Sequence, residues 1–397
     1  MLGHPSFAFL LCSRVLANMG FNMLGVAVGW QLYALTGSAL DLGLVGLAQF
    51  VPMVLLTLIV GQVADRYDRR LIAALCQLTE AAAAATLMMG TLGGWHSNTS
   101  ILGLVSLVGA ARAFESPATT ALVSDVVPRP RIARAMAWLV SANQTAQIVG
   151  PALGGFLYAL GADAAYRSAS ALFALASLCA VVVRSRHAAR ATEPLTMESV
   201  FSGVAFIRSR RVLLGTMSLD LFAILLGGAT ALLPIYARDI LGTGPRGLGV
   251  LRSAPAVGAL ATSIFLARQP LRRRIGPTLF RAVMVFGAAT VAFGVSKNFA
   301  LSLAALCVLG ASDVVSVVIR ASLVQIRTPD RMRGRVSAIH SLFTGTSNQL
   351  GAFESGLAAA LFGTVPAVLL GGLGTIAVAA LWMILFPELR RIRHFEE

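Results

Sequence analysis

Between two long apolar runs, at 42–63 and 71–93, the chain reads Gly61-Gln62-Val63-Ala64-Asp65-Arg66-Tyr67-Asp68-Arg69-Arg70. Within a few residues an aliphatic stretch gives way to three arginines and two aspartates. Each flanking run holds about the 20 apolar residues that a helix needs to cross a bilayer core of about 30 Å. Two such runs joined by a short basic turn describe a membrane hairpin. Gly61 permits close helix approach, Asp65 can cap or face a neighbouring helix N-terminus, and Arg66, Arg69 and Arg70 hold the loop on the cytoplasmic side.

The rest of the chain agrees with that reading. Of 397 residues, 57% are hydrophobic and 12% charged, and mean hydropathy is +0.78. Soluble domains carry about 25% charged residues, so a soluble enzyme, a disordered scaffold and a secreted disulfide module are excluded. The net charge of +15 would suggest a nucleic-acid partner in a soluble chain, but here the cations sit in short clusters between apolar runs. Cys12, Cys76, Cys179 and Cys307 lie inside such runs without paired spacing and read as small buried hydrophobes. The first run, near Phe7, has neither a cationic leader nor a small-residue cleavage site before it, so it is expected to be a retained span.

Twelve runs long enough to cross a bilayer lie near 7–34, 42–63, 71–93, 100–126, 134–160, 165–184, 212–237, 247–267, 278–296, 299–325, 336–362 and 365–386. Alternating the loops puts Arg66/Arg69/Arg70, Arg129/Arg131/Arg134, the connector from Arg184 to Arg211, Arg268/Arg272/Arg273/Arg274, Arg327/Arg331/Arg333/Arg335 and Arg390/Arg391/Arg393 on one side. Only Arg167, Arg238, Arg246 and Lys297 fall on the other. That asymmetry places both termini in the cytoplasm. The connector, 185–211, carries Val200, Phe201, Val204 and Ile207 at helical spacing and is expected to form a short amphipathic helix on the cytoplasmic face.

The halves repeat. A shift of about 200 residues places Gly109 on Gly310, Leu122-Val123 on Leu323-Val324, Pro128 on Pro329, Arg134 on Arg335, Gly150 on Gly351 and Gly155 on Gly356. The expected fold is an all-α membrane protein of twelve transmembrane helices in two pseudo-symmetric six-helix bundles, 1–184 and 212–397. Parallel repeats of this kind build transporters whose substrate site lies near mid-membrane.

The Gly61–Arg70 stretch, with the helix count and the repeat, resembles the major facilitator superfamily. In that superfamily a glycine, an aspartate four residues on and a basic cluster latch the halves in the outward-open state. The resemblance implies such a latch at Gly61, Asp65, Arg66, Arg69 and Arg70. Asp68 stands where the family usually has Gly, and Asp tolerates the left-handed conformation. The equivalent loop, Arg268 to Arg274, lacks the glycine-aspartate pair, so the latch should be one-sided. In the fifth run, Gly150-Pro151-Ala152-Leu153-Gly154-Gly155 is similar to a signature of exporters that exchange substrate for protons, with Ala146 where a glycine usually precedes it. Proline and small residues there would bend the helix and admit close packing against the opposite half.

Four further strings look like the enterobactin-exporter branch of the superfamily: Arg14 with Trp30 to Ser38, Arg112 to Pro117, Leu233 to Asp239, and Thr328 to Val336. That branch exports siderophores or related small molecules from bacteria. The resemblance implies a scaffold rather than a particular substrate.

Ionisable groups at bilayer depth are costly and mark function by default. The first span has Arg14, Asn18 and Asn22, the fourth Arg112 and Glu115, the seventh Asp220, and the tenth Asp313 and Arg320. In the superfamily these four spans line the central cavity, so Arg14, Asn18, Asn22, Arg112, Asp313 and Arg320 are expected to face it. Trp30 and Tyr33 are aromatic groups able to stack on a ring-bearing substrate. The repeat aligns Arg112 with Asp313, opposite charges able to attract across a narrowing cavity, and Arg112 and Glu115 are spaced to pair locally. Asp220 has no cation within a turn on its own helix, which makes it the leading proton carrier, followed by Glu115 and Glu354. Glu80 reads as a structural group near a cytosolic end.

Enzyme signatures are missing: the histidines lack metal-ligand spacing and no phosphate-cradling Gly-Lys-Ser/Thr loop occurs. The chain is therefore expected to be no enzyme and to need neither cofactor nor metal. It should act as a monomeric proton-coupled exporter of siderophore-like or drug-like molecules in the inner plasma membrane. Its expected partners are a small-molecule substrate, protons and lipid, with no nucleic acid. The alternatives are an importer or facilitator, and a non-transporting receptor or lipid-handling protein.

Overall fold

The computed structural model describes residues 5–184, 204–269, 271 and 274–394. Val200, Phe201, Arg272 and Arg273 lie outside the described residues, as do the surroundings of Gly61 and the side chain of Asp65 within their helix. In chain order the helices are α1 (Pro5–Thr36), α2 (Ala39–Arg66), α3 (Arg69–Gly93), α4 (Asn98–Val126), α5 (Ile132–Tyr158), α6 (Ala162–Val182), α7 (204–209), α8 (Arg211–Leu226), α9 (Gly244–Arg268), α10 (Ile275–Val295), α11 (Phe299–Arg327), α12 (Asp330–Phe362), α13 (Thr364–Leu385) and α14 (Pro387–Arg391). Ten segments among the described residues are long and apolar enough to cross a membrane. The 27-residue α5 and 33-residue α12 also exceed the length a span requires.

The run at 212–237 is not the regular helix that its hydropathy suggests. After α8 the backbone tightens to a 3₁₀ turn at Gly228–Leu232, resumes at Leu233–Ile235 and widens to a π turn at Tyr236–Ile240. Gly227-Gly228 and Pro234, which lacks an N–H, supply the break. A Cβ on Gly228 would stand 2.3 Å from the Gly351 carbonyl oxygen, so only glycine fits this approach to α12.

The chain forms two compact units that follow the sequence halves except at two segments. Unit 1 holds residues up to Gly37, Leu47–Leu195 and Thr243–Ser253. Its core packs Phe7 and Leu10 of α1 against Ala73 of α3, Leu122 of α4, Leu139 of α5 and Ala180 of α6. The alanine-rich face of α3 lets α6 approach until Ser170 and Ser177 donate to the carbonyls of Ala81 and Ala74 (2.9 and 2.8 Å). Small residues and hydroxyls of this kind hold helices together in lipid, where the hydrophobic effect gives no contrast.

Unit 2 holds Ser38–Gly46, Thr196–Gly242 and Ala254–Glu397. Leu219 of α8, Phe280 of α10, Leu323 of α11 and Trp382 of α13 form its core, and Trp382 Nε1 donates to Ser218 Oγ at 3.0 Å. In α7, Ile207 is buried against Leu213, Met217 and Val336. The expected amphipathic helix thus exists over its second half.

The glycines of the repeat occupy matching crossings. Gly150 faces Met19 and Asn22 of α1 in unit 1, and Gly351 faces Ile224 and Leu225 of α8 in unit 2. Gly155 meets Gly249 of α9, and Gly356 meets Gly43 of α2. At each of these four positions a Cβ would fall within 3.0 Å of a neighbouring atom.

The cysteines depart from expectation. Cys12 is exposed and Cys76, Cys179 and Cys307 are half-buried, all four free. A lipid-facing position and a core position are equally apolar, and hydropathy cannot tell them apart.

Candidate functional site

Each unit carries a polar cluster inside its helices. In unit 1 the α4 guanidinium of Arg112 meets Glu115 Oε2 at 3.2 Å, the pair that its spacing allows, and donates to Asn18 Oδ1 at 2.8 Å. It also lies 4.2 Å from the centre of the Phe21 ring. Glu115 is buried and accepts from Gln77 Nε2 of α3 at 2.9 Å, while Gln77 exchanges hydrogen bonds with Ser13. Asn22 Nδ2 donates to the Asn18 carbonyl (2.7 Å), and Arg14 donates to Thr120 Oγ1 (3.2 Å). Asn18, Asn22, Arg112 and Glu115 therefore share one network across α1, α3 and α4, with Arg14 tied separately to α4 through Thr120. Tyr33 is buried, so its ring serves packing.

Glu80 is not a group at a helix end. It lies near the middle of α3, is fully buried, and neither carboxyl oxygen has a hydrogen-bond partner among the described residues. The uncharged acid suits such a setting and the carboxylate does not. Glu80→Gln, which keeps the shape, should leave the thermal midpoint of the purified protein unchanged or raised. A fall as large as that of a buried pair losing one member would refute the assignment.

In unit 2, Asp220 has no cation within a turn on its own helix, but Arg320 of α11 reaches it: Arg320 Nη2 stands 2.8 Å from Asp220 Oδ1, with side-chain exposures of only 3% and 6%. Asp313 Oδ1 stands 3.7 Å from the same nitrogen, and Thr344 of α12 donates to Asp220 Oδ2 at 3.3 Å. The Asp220–Arg320 contact is a meeting of charges rather than an aligned hydrogen bond, and Arg320 Nε and Ser316 Oγ have no hydrogen-bond partner among the described residues. Ala223, Val283, Phe286, Asp313, Ser316 and Arg320 line a small cavity beside the pair, with room for about one water molecule. Glu354 is half-buried on α12 and takes a long hydrogen bond from Ser355 Oγ (3.5 Å). Arg112 and Asp313, which the repeat aligns, each have partners in their own unit.

Near Asp65 the structure assigns roles to its neighbours. Asp68 is not left-handed: at φ −62°, ψ 114° it is the N-cap of α3, accepting from the Arg70 N–H at 3.0 Å while Arg70 Nε approaches Asp68 Oδ2 at 2.7 Å. A capping carboxylate satisfies the free N–H groups of a first turn, which a glycine there could not do. Arg69 pairs with Asp125 at the end of α4 (3.1 Å), and Arg66 is exposed.

On α5, Gly150 and Gly154 pack on α1, and Gly155 packs on the first turns of α9. Pro151 lies inside the helix, and one residue beyond the carbonyl that it leaves without a donor, Ser253 Oγ donates to the Ile148 carbonyl at 2.6 Å.

One charge escapes the sequence reading. Arg252, in the apolar run of α9, donates Nη1 to the Gly25 carbonyl at 2.7 Å. No carboxylate lies within 4 Å of it among the described residues.

Comparison with known proteins bears on the family and the fold. Over 411 aligned residues, 98% of this chain and 94% of the relative, it is 25% identical to the enterobactin exporter EntS of Citrobacter koseri. It is 24% identical, over the same shares, to that of Escherichia coli O1:K1. A mutant of the nucleoside transporter NupG superposes with a TM-score of 0.75 at 12% identity, covering 95% of this chain and all of that one. A POT family transporter in complex with a thioalcohol-conjugated peptide gives 0.75 at 10%, covering 96% of each. At those identities the solved structures speak for the fold alone. The family described as transmembrane secretion effector matches residues 2–395. The chain is a multi-pass membrane transporter of the major facilitator superfamily, belonging to its transmembrane secretion effector family.

Proposed function

We propose that the protein is a proton-coupled exporter of small organic molecules in a bacterial inner membrane, working as a monomer by alternating access with both termini in the cytoplasm. The observation that carries the coupling is the buried Arg320 guanidinium set between two carboxylates, Asp220 at 2.8 Å and Asp313 at 3.7 Å. One cation cannot fully neutralise both. A proton arriving on Asp220 releases Arg320 toward Asp313, and its loss draws Arg320 back. Because Asp220 sits on α8 and Arg320 on α11, the exchange changes the force between two spans. His340 of α12 is a further titratable group within electrostatic reach of Asp220. In unit 1, Arg112 and Glu115 offer a second site of the same kind. The relatives' name supports export as the direction and siderophore-like molecules as a substrate class. Gly61, Asp65 and the arginines beside them serve as the conformational latch.

The test is proton movement in proteoliposomes with a pH-sensitive dye inside, enterobactin being the first solute tried. Asp220→Asn keeps the size and the Thr344 contact but cannot cycle a proton. Solute-driven proton flux should fall about tenfold or more while the protein still purifies as a folded species. Wild-type flux in this variant would remove Asp220 from the mechanism.

A further inference from the structure

We propose that the transported molecule is an organic dianion, and that Arg112 and Arg252 are the two cations that hold its acidic groups along one face of α1. The inference deepens the transporter reading above by naming the chemical class of its substrate.

Arg14, Asn18, Asn22 and Gly25 follow one another at spacings of four, four and three, which puts them on one helix face. All four are half-buried, whereas Ser13, Ala17, Gly20, Met23 and Leu24 are buried. Leu11 and Phe21 share this half-buried face, with Phe21 under the Arg112 guanidinium, and each step from Arg14 to Gly25 meets a cation or an amide. Arg14 bonds Thr120, Arg112 bonds Asn18, Asn22 follows, and Arg252 bonds the Gly25 carbonyl. From Asn18 to Gly25 is seven residues, about 10 Å of helix rise. Three guanidinium groups thus stand along this face, and Glu115 is the one carboxylate bonded to any of them among the described residues.

Arg252 is the unusual member. A guanidinium has five N–H donors, and the described contacts of this one use a single backbone carbonyl. A Cβ at position 25 would lie 3.3 Å from Arg252 Nη2, so the glycine makes room for the guanidinium to lie against the helix. A cation at bilayer depth normally pairs with an acid or faces water. Arg112 has its acid in Glu115, but Arg252 has none, and a carboxylate or similar planar anion fits its free fork in bidentate fashion. An acid group at Arg252 and another at Arg112 would be bridged along Asn22, whose amide side chain can bond the linking part of the molecule.

The probes are biphenyl-4,4′-dicarboxylate, whose carboxylates are about 10 Å apart on the scale of that helix rise, the monoacid biphenyl-4-carboxylate and the neutral biphenyl-4,4′-dimethanol. Their binding to the full chain in phosphatidylcholine nanodiscs is measured by titration calorimetry, with zwitterionic lipid so that anionic headgroups do not compete. The dianion should bind about tenfold tighter than the monoanion and tighter still than the diol. Arg252→Gln, which keeps a donor for the Gly25 carbonyl and removes the charge, should bring the dianion to the level of the monoanion. Arg252→Lys should retain most of the preference. Undetectable dianion binding, equal binding of diol and dianion, or an undiminished preference in Arg252→Gln would overturn the proposal. No gradient is applied, so the result is separable from proton coupling. Selective binding with proton-independent flux leaves this inference standing and removes the coupling, and the opposite pattern does the reverse.

Discussion

Arg320→Leu is expected to be among the most damaging single substitutions on the polar side chains, and Asp220→Leu in the same molecule is expected to undo most of that damage to stability. Removing the guanidinium leaves Asp220, 4% exposed, without its cation and beside Asp313, so two carboxylates face each other across a space that Arg320 now fills. Breaking a buried pair from one side costs about 3–5 kcal/mol, because an uncompensated charge remains. The thermal midpoint of the purified protein should fall on the order of 5–10 °C. Replacing both members with leucine removes the orphaned charge, and apolar replacements of buried pairs are often neutral or stabilising. Asp313 remains in the double variant but is the more exposed acid, at 43% of its side chain. Substrate-driven proton flux should be absent in the single and double variants alike. A double variant as unstable as Arg320→Leu would mean that the residues do not act as a pair. One that regained proton-coupled flux would show that the pair is structural.

Much of the architecture follows from signals that work over short distances along the chain. Apolar runs of bilayer length, arginine clusters at alternate loops and glycines repeating after about 200 residues led to helices found close to where they were expected, including the matched crossings at Gly150 and Gly351. The Arg112–Glu115 pair was legible because both lie on one helix, three residues apart. Asp220 and Arg320 are a hundred residues apart, so reading the Asp220 helix alone left the acid without a cation. Arg252 was hidden for another reason: one arginine in the apolar run 247–267 scarcely moves an average hydropathy, and the carbonyl that receives it is invisible in sequence. The sequence leaves Asp68 free to take a left-handed conformation, whereas in the structure it caps α3, because an aspartate before a helix start supports either conformation. The broken seventh span was marked by Gly227-Gly228 and Pro234, but its apolar composition outweighed them.

Gly258→Ala and Gly310→Ala should each lose most of the folded protein, although each adds only a methyl group. In unit 2, α9 and α11 cross with almost no space between backbones. A Cβ on Gly258 would stand 1.9 Å from the Cys307 carbonyl oxygen, and one on Gly310 would stand 1.9 Å from that of Pro255. Neither neighbour is the end of a flexible side chain, so relief requires the helices to separate. Overpacking of a core costs about 1–3 kcal/mol when side chains can shift, and more is expected where two backbones must move. Such close approaches are how spans associate in lipid, where van der Waals contact replaces the hydrophobic drive. Parting α9 from α11 would also disturb the helix that carries Asp313 and Arg320. Gly103→Ala is the control: its Cβ would meet nothing within 4 Å, so it should be neutral or raise stability by up to about 1 kcal/mol through helix propensity. Fluorescence-detected size exclusion of the three variants, with thermal challenge before the column, reads the difference directly. A monodisperse Gly258→Ala peak with a midpoint equal to that of Gly103→Ala would show that α9 and α11 are not packed as closely as the glycines require.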